Sequence, residues 1–102
     1  MRYEKAWAES ITKDFEGVTN EQFEDIDSSF NEILESPNTK TKRIKNWEGN
    51  VRRIRVKDYR LIVYVSENNL TVYGLAFLPR GECYSKNTKK IILKIIESIN
   101  EL

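Results

Sequence analysis

Four cationic residues, Arg53, Arg55, Lys57 and Arg60, sit inside the stretch RIRVKDYRLIVYV that runs from Arg53 to Val65. Arg80 follows the next apolar run, in LPRGECYSK, and Tyr84 lies just beyond it. The residues between these cations are β-branched and aromatic, so the first stretch reads as two strands joined at Lys57-Asp58. Successive side chains of a strand point to opposite faces, which puts Ile54 and Val56 on one side and Arg53 and Arg55 on the other. A row of guanidinium groups is not buried as a row. Its face meets water or an anion, and a polyanion suits several charges on one strand.

The rest of the charge is arranged to match. Residues 1–39 hold 3 Lys/Arg against 10 Asp/Glu, residues 40–60 hold 9 against 2, and residues 61–102 hold 5 against 4. A formal net charge of +1 therefore conceals a basic middle behind an acidic N-terminal third. The asymmetry points to a nucleic-acid surface built from the middle segment, with Lys42, Arg43, Lys45 and Arg52 beside the strand cations. It equally describes a dipolar domain whose acidic helices face the basic hairpin or water.

The elements that must position these residues can be read by periodicity. After a short extended start, Trp7, Ile11 and Phe15 fall four apart and predict a first helix ending at Gly17. Thr19 opens a second helix, with Gln22 three residues on as its capping-box partner. Phe23, Ile26, Phe30, Ile33 and Leu34 give that helix one apolar face, and Pro37 stops it. Residues 38–50 read as a polar linker ending in the turn signal Glu48-Gly49-Asn50. Strands follow over 53–56 and 59–65, then a polar turn at 66–69. Leu70 to Leu78 carries apolar residues on both faces, which predicts a strand inside the sheet. Lys86 to Leu102 predicts a helix with its stripe on Ile91, Ile92, Ile95, Ile96, Ile99 and Leu102. That stripe is read as docking on the sheet, or as a detachable element that meets a partner.

Several classes are excluded or disfavoured. A chain of 102 residues forms one domain with a modest core. Cys83 has no second cysteine to bridge, and with no His the ordinary zinc spacings are absent. Neither a metal nor a cofactor is expected. The start MRYEKAWAESITK is too charged for a signal peptide, and no long apolar run predicts a membrane span. A cytoplasmic location is expected.

Two helices, an antiparallel meander carrying basic residues, and Arg then Tyr after the last strand resemble the RelE/ParE superfamily of toxins, closest to RelE-type mRNA interferases. The resemblance spans roughly residues 2–90. RIRVKDYRLIVYV is similar to the family's R-x-R-x-G-x-Y-R-x-x-Y hairpin, LPRGECYSK to its arginine-then-tyrosine segment, and Glu35-Ser36-Pro37 to the usual end of its second helix. The resemblance implies a compact α+β fold with two N-terminal helices packed on a twisted antiparallel sheet; the C-terminal helix over 85–102, read from its own stripe, is expected to be docked, or mobile and partner-dependent. It implies a toxin that cleaves mRNA in the ribosomal A site without metal, through attack of the ribose 2′-hydroxyl on the adjacent phosphate. A cognate antitoxin would neutralise it in a toxin–antitoxin hetero-oligomer, with no membrane partner. The ParE-type alternative is a gyrase inhibitor that cleaves nothing, and a further one is a non-catalytic antitoxin-binding module.

Carried over residue by residue, the resemblance makes Arg53, Arg60, Arg80 and Tyr84 the catalytic set. Arg60 would grip the scissile phosphate, and Arg80 would stabilise transition-state charge. Arg53 would do the same, because arginine hardly ever deprotonates. Tyr84 would stack on a base or assist proton transfer. Arg55, Lys57, Lys42, Arg43, Lys45 and Arg52 would contact RNA. Beside these stand plainer readings: exposed strand cations at Arg53 and Arg55, an Arg60 ion pair with Asp58 or Glu82, and a core-edge Tyr84. The chain departs from the family pattern in carrying Val51 where a lysine is common and in lacking a turn glycine near Lys57.

Overall fold

Thr19 begins the long N-terminal helix as its sequence predicts. Its side chain accepts the Gln22 backbone N–H at 3.1 Å and the Gln22 side chain accepts the Thr19 N–H at 3.0 Å, closing a capping box. In the computed structural model, which describes residues 2–44, 47, 50–82 and 85–100, this helix is α1, Asn20–Ile33. Ile26, Phe30 and Ile33 form its buried face. Pro37 starts a single further turn, α2 (Pro37–Lys40), in what reads as a linker, and a two-residue strand β2 (Lys42–Arg43) follows it.

The hairpins fall where alternation puts them. β3 is Val51–Val56, β4 Tyr59–Ser66 and β5 Thr71–Pro79. The sheet is completed by β1, Glu4–Trp7, giving the order β1-β5-β4-β3-β2. Every neighbouring pair is antiparallel except β1 with β5, which is parallel. β5 therefore lies inside the sheet, as its two apolar faces predict.

The first expected helix is different. Trp7 belongs to β1, and only one 3-10 turn, Glu9–Thr12, follows before turns run to Gly17. The four-residue spacing of Trp7, Ile11 and Phe15 is real, but their common face is made by a strand edge and a turn. Trp7 packs edge-on against Phe15 and Phe30, with centroids 5.4 and 4.9 Å apart. It lies so close over its strand neighbour Gly74 that a Cβ there would stand 2.7 Å from the indole.

Two apolar layers cover the sheet. On one face Ile26, Phe30, Ile33 and Leu34 pack on Ile54, Val56, Leu61, Val63, Val65 and Phe77. On the other, Ile92 and Ile99 of α3 (Lys86–Asn100) pack on Val51, Ile62, Leu75 and Ala76. α3 is thus docked, while Ile91 and Leu93 on its outer side remain exposed. The α+β class and both flanking helices stand as the sequence implies.

Candidate anion site on the sheet

Val51, Ile62, Ala76 and Leu78 face α3, so alternation carries Arg53, Arg55 and Arg60 to that same face. Register makes the cluster tight. Arg55 is directly opposite Arg60, and Arg60 is opposite Leu78. In the next row Lys42 is opposite Arg53 and Arg53 opposite Ile62. Two arginines facing each other across a ladder repel, and such a pair is destabilising without an anion between them.

Arg60 is the most constrained member. Its side chain is 7% exposed, and Nη1 donates to the carbonyls of Tyr59 at 3.0 Å and Lys57 at 3.4 Å. Among the described residues no carboxylate pairs with it, neither Asp58 nor Glu82. The two carbonyls fix the guanidinium without neutralising it, leaving the rest of its donor fork for an oxyanion. Arg55 beside it is exposed, and Arg53 is half-buried.

Arg80 is brought to the same corner by main-chain bonding. One residue past β5, its N–H donates to the Asp58 carbonyl at 3.1 Å, which holds it at the β3–β4 turn next to Arg60. The segment that follows is tied down by Glu82 N–H to the Pro79 carbonyl at 3.0 Å and Thr88 Oγ1 to the Glu82 carbonyl at 2.9 Å. Lys42, Arg53, Arg55 and Arg60 are therefore the sequence candidates that share the α3 face, and the Arg80 backbone is held at its β3–β4 corner. Tyr84 and Lys45 lie outside the described residues.

Three candidates are placed elsewhere. Arg52 points to the α1 face and is used by the fold. It donates to Thr41 Oγ1 and to the carbonyls of Asn38 and Thr41 at 2.9 and 3.2 Å, which pins α2 and β2 to β3. Burial, and then the neighbouring Arg43 charge, lower its pKa. Arg43, paired with Arg52, shares that face. Lys57 occupies the left-handed conformation, φ 55°, where the family pattern has glycine, and its ammonium turns to Asp25 of α1 at 3.2 Å. A regular strand count cannot show that reversal.

On the α1 side stand two carboxylates that no motif in the sequence singles out, Asp14 and Asp25. Asp14 Oδ2 accepts the Phe77 N–H at 3.0 Å, and burial raises its pKa, partly offset by that bond. Among the described residues no group of His, Cys, Asp and Glu is arranged to hold a metal ion, and no helix is long and apolar enough to cross a membrane.

Searches of protein-family models and of curated proteins find no match to this chain. Solved structures do match. A free-state mutant of the Escherichia coli toxin RelE superposes with TM-score 0.76 at 18% identity, covering 94% of this chain and all but 1% of its own length, 99%. The toxin–antitoxin complex RelBE2 of Mycobacterium tuberculosis gives 0.67 at 16% identity, over 78% of this chain and 100% of that one. The RelB–RelE antitoxin–toxin complex of Methanococcus jannaschii gives 0.59 at 26% identity, over 79% and 96%. The chain has the fold of the RelE toxins.

Proposed function

We propose that this chain is the toxin of a type II toxin–antitoxin pair and that it cleaves mRNA on the ribosome. The observation that carries the proposal is Arg60: a nearly buried guanidinium, held by two carbonyls, with Arg55 across the ladder and no carboxylate to neutralise either among the described residues. An RNA phosphate supplies the missing charge. The RelE fold supports the same reading, since RelE structures similar to this one include complexes with RelB antitoxins.

The chemistry suits a chain without histidine. The ribose 2′-oxygen attacks phosphorus, the bond to the 5′-oxygen breaks, and the products are a 2′,3′-cyclic phosphate and a 5′-hydroxyl. The 2′-hydroxyl proton leaves to an acceptor and a proton reaches the departing 5′-oxygen. Arginines stay protonated, so their part is to hold the phosphate and its growing negative charge. Arg60 and Arg55 grip the non-bridging oxygens, Arg53 and Lys42 extend the cationic row along the strand, and Arg80 lies against the leaving side. Tyr84 stacks on a neighbouring base or shares in proton transfer. Within this reading α3, which buries only Ile92 and Ile99 among its described side chains, is the element whose docking an antitoxin segment would change.

Primer extension on mRNA in a translating extract tests the proposal against the Arg80→Ala variant. Discrete cuts at ribosome-occupied codons, lost in the variant, are expected. Intact mRNA with both proteins would overturn it, and gyrase inhibition would then be measured.

A further inference from the structure

A cleft of about 330 Å³ opens on the α1 side of the sheet, behind the arginine row. Its floor is apolar, made by Ile26, Val56 and Phe77, with the Tyr59 ring stacked on Phe77 at 4.8 Å and 8°. Its rim carries the carboxylates of Asp14, Glu16, Asp25 and Asp58, against the ammonium of Lys57. These residues come from the turn after the 3-10 element, from α1, from the β3–β4 corner and from β5, so only the folded chain assembles them.

The volume falls at the small end of ligand sites and is enough for one long side chain. An aromatic pair below and carboxylates around the mouth favour a cation. A carboxylate occupant would be repelled at the rim, and a neutral apolar one would leave the rim acids partly desolvated and unpaired. One cation already stands at its edge, Lys57, paired with Asp25. Its Nζ reaches Asp25 Oδ2 at 3.2 Å, yet the two side chains are 77% and 49% exposed. A pair so wet is weak and exchangeable. Burial of Asp14 adds a carboxylate whose charge lacks full solvation and gains from a cation nearby.

We propose that this cleft receives a cationic side chain of a partner polypeptide, arginine by preference, and that Lys57 is the internal occupant it displaces from Asp25. Arginine fits better than lysine because its planar guanidinium stacks on aromatic faces while it pairs with a carboxylate. The cleft and the arginine row lie on opposite faces of the sheet, so this inference does not depend on RNA cleavage.

NMR titration of the 15N-labelled chain with N-acetylarginine amide tests it, with N-acetylnorleucine amide and N-acetylglutamate as comparison probes. Saturable shifts at Asp25, Lys57, Tyr59 and Phe77 are expected with the arginine probe and much weaker ones with the others. Asp25→Asn, an isosteric change at a half-exposed site, weakens binding about five-fold, the factor one partly exposed charge pair accounts for. Lys57→Ala tightens binding, because the internal competitor is gone; a mere strut would give the opposite sign. Equal response to the norleucine probe, no saturable shift, or unchanged or weaker binding in Lys57→Ala would overturn the inference.

Discussion

Replacing Arg60 by methionine separates an arginine kept for its charge from one kept for the fold. Methionine retains the length and apolar stem of the buried side chain and removes the guanidinium. Directly opposed strand residues have Cβ atoms about 5 Å apart, so two guanidinium groups carried on them can approach to about 6 Å. At that distance they repel by about 0.7 kcal/mol in water and about 3 kcal/mol at an effective dielectric constant of 20. Against this stand two hydrogen bonds, at 3.0 and 3.4 Å. A bond from a charged donor contributes about 1.5–3 kcal/mol, and the longer one falls below that range. The opposing effects are of similar size, so Arg60→Met changes stability by no more than about 2 kcal/mol, or about 8 °C in Tm. The anion response is different in kind. For a phosphate dissociation constant on the order of 10 mM, 100 mM phosphate stabilises the natural chain by about 1.4 kcal/mol, or about 6 °C. The variant keeps only the small gain from phosphate exclusion at the protein surface. Thermal unfolding followed by circular dichroism, at matched ionic strength with chloride or phosphate, reads both quantities. A loss above about 3 kcal/mol in Arg60→Met, or an equal phosphate shift in both proteins, would refute the reasoning.

Two further outcomes concern the α1 face. Gly74→Ala sets a methyl group 2.7 and 2.9 Å from the Trp7 ring and 3.1 Å from Phe30. The Trp7 ring is held by Phe15, Phe23 and Phe30, so the variant loses about 1–3 kcal/mol, read as a lower urea midpoint. Asp14 has its pKa raised by burial, so its protonated form stabilises the fold below the ordinary carboxylate range, and that contribution is lost as pH rises through the raised value. Asp14→Asn, which still accepts the Phe77 N–H, is therefore more stable than the natural chain near pH 7, and the gain vanishes in acid; urea melts across pH 3–7 show it.

The hairpin β3–β4 and the inner position of β5 are legible because their information is local: Ile54 and Val56 alternate with Arg53 and Arg55, and Leu70 to Leu78 carries apolar residues on both faces. The start of the chain is not. β1 exists because Glu4–Trp7 pairs with Thr71–Gly74, about two-thirds of the chain away in sequence, and no local periodicity carries that pairing. A spacing of four then imitates a helix. The same holds at the site. Alternation alone puts Arg53 and Arg55 on one face. The burial of Arg60 depends on register, and the turn of Lys57 toward Asp25 depends on a left-handed residue where most such turns would use glycine.

Arg52 and Arg53 show why charge count is a poor guide to this surface. They are adjacent and identical, and the middle segment owes its basic character to both. The pleat sends Arg52 to the α1 side, where Thr41 and two carbonyls use its donors to fasten α2 and β2. It sends Arg53 to the row that contains Arg55 and Arg60. A sheet covered on both faces thus sorts one run of cations into two populations. One is spent on hydrogen bonds within the fold; the other is gathered, against its own repulsion, around a guanidinium with no acid beside it among the described residues. That second arrangement carries a mutual repulsion that its own hydrogen bonds offset and that an oxyanion, if bound, would relieve.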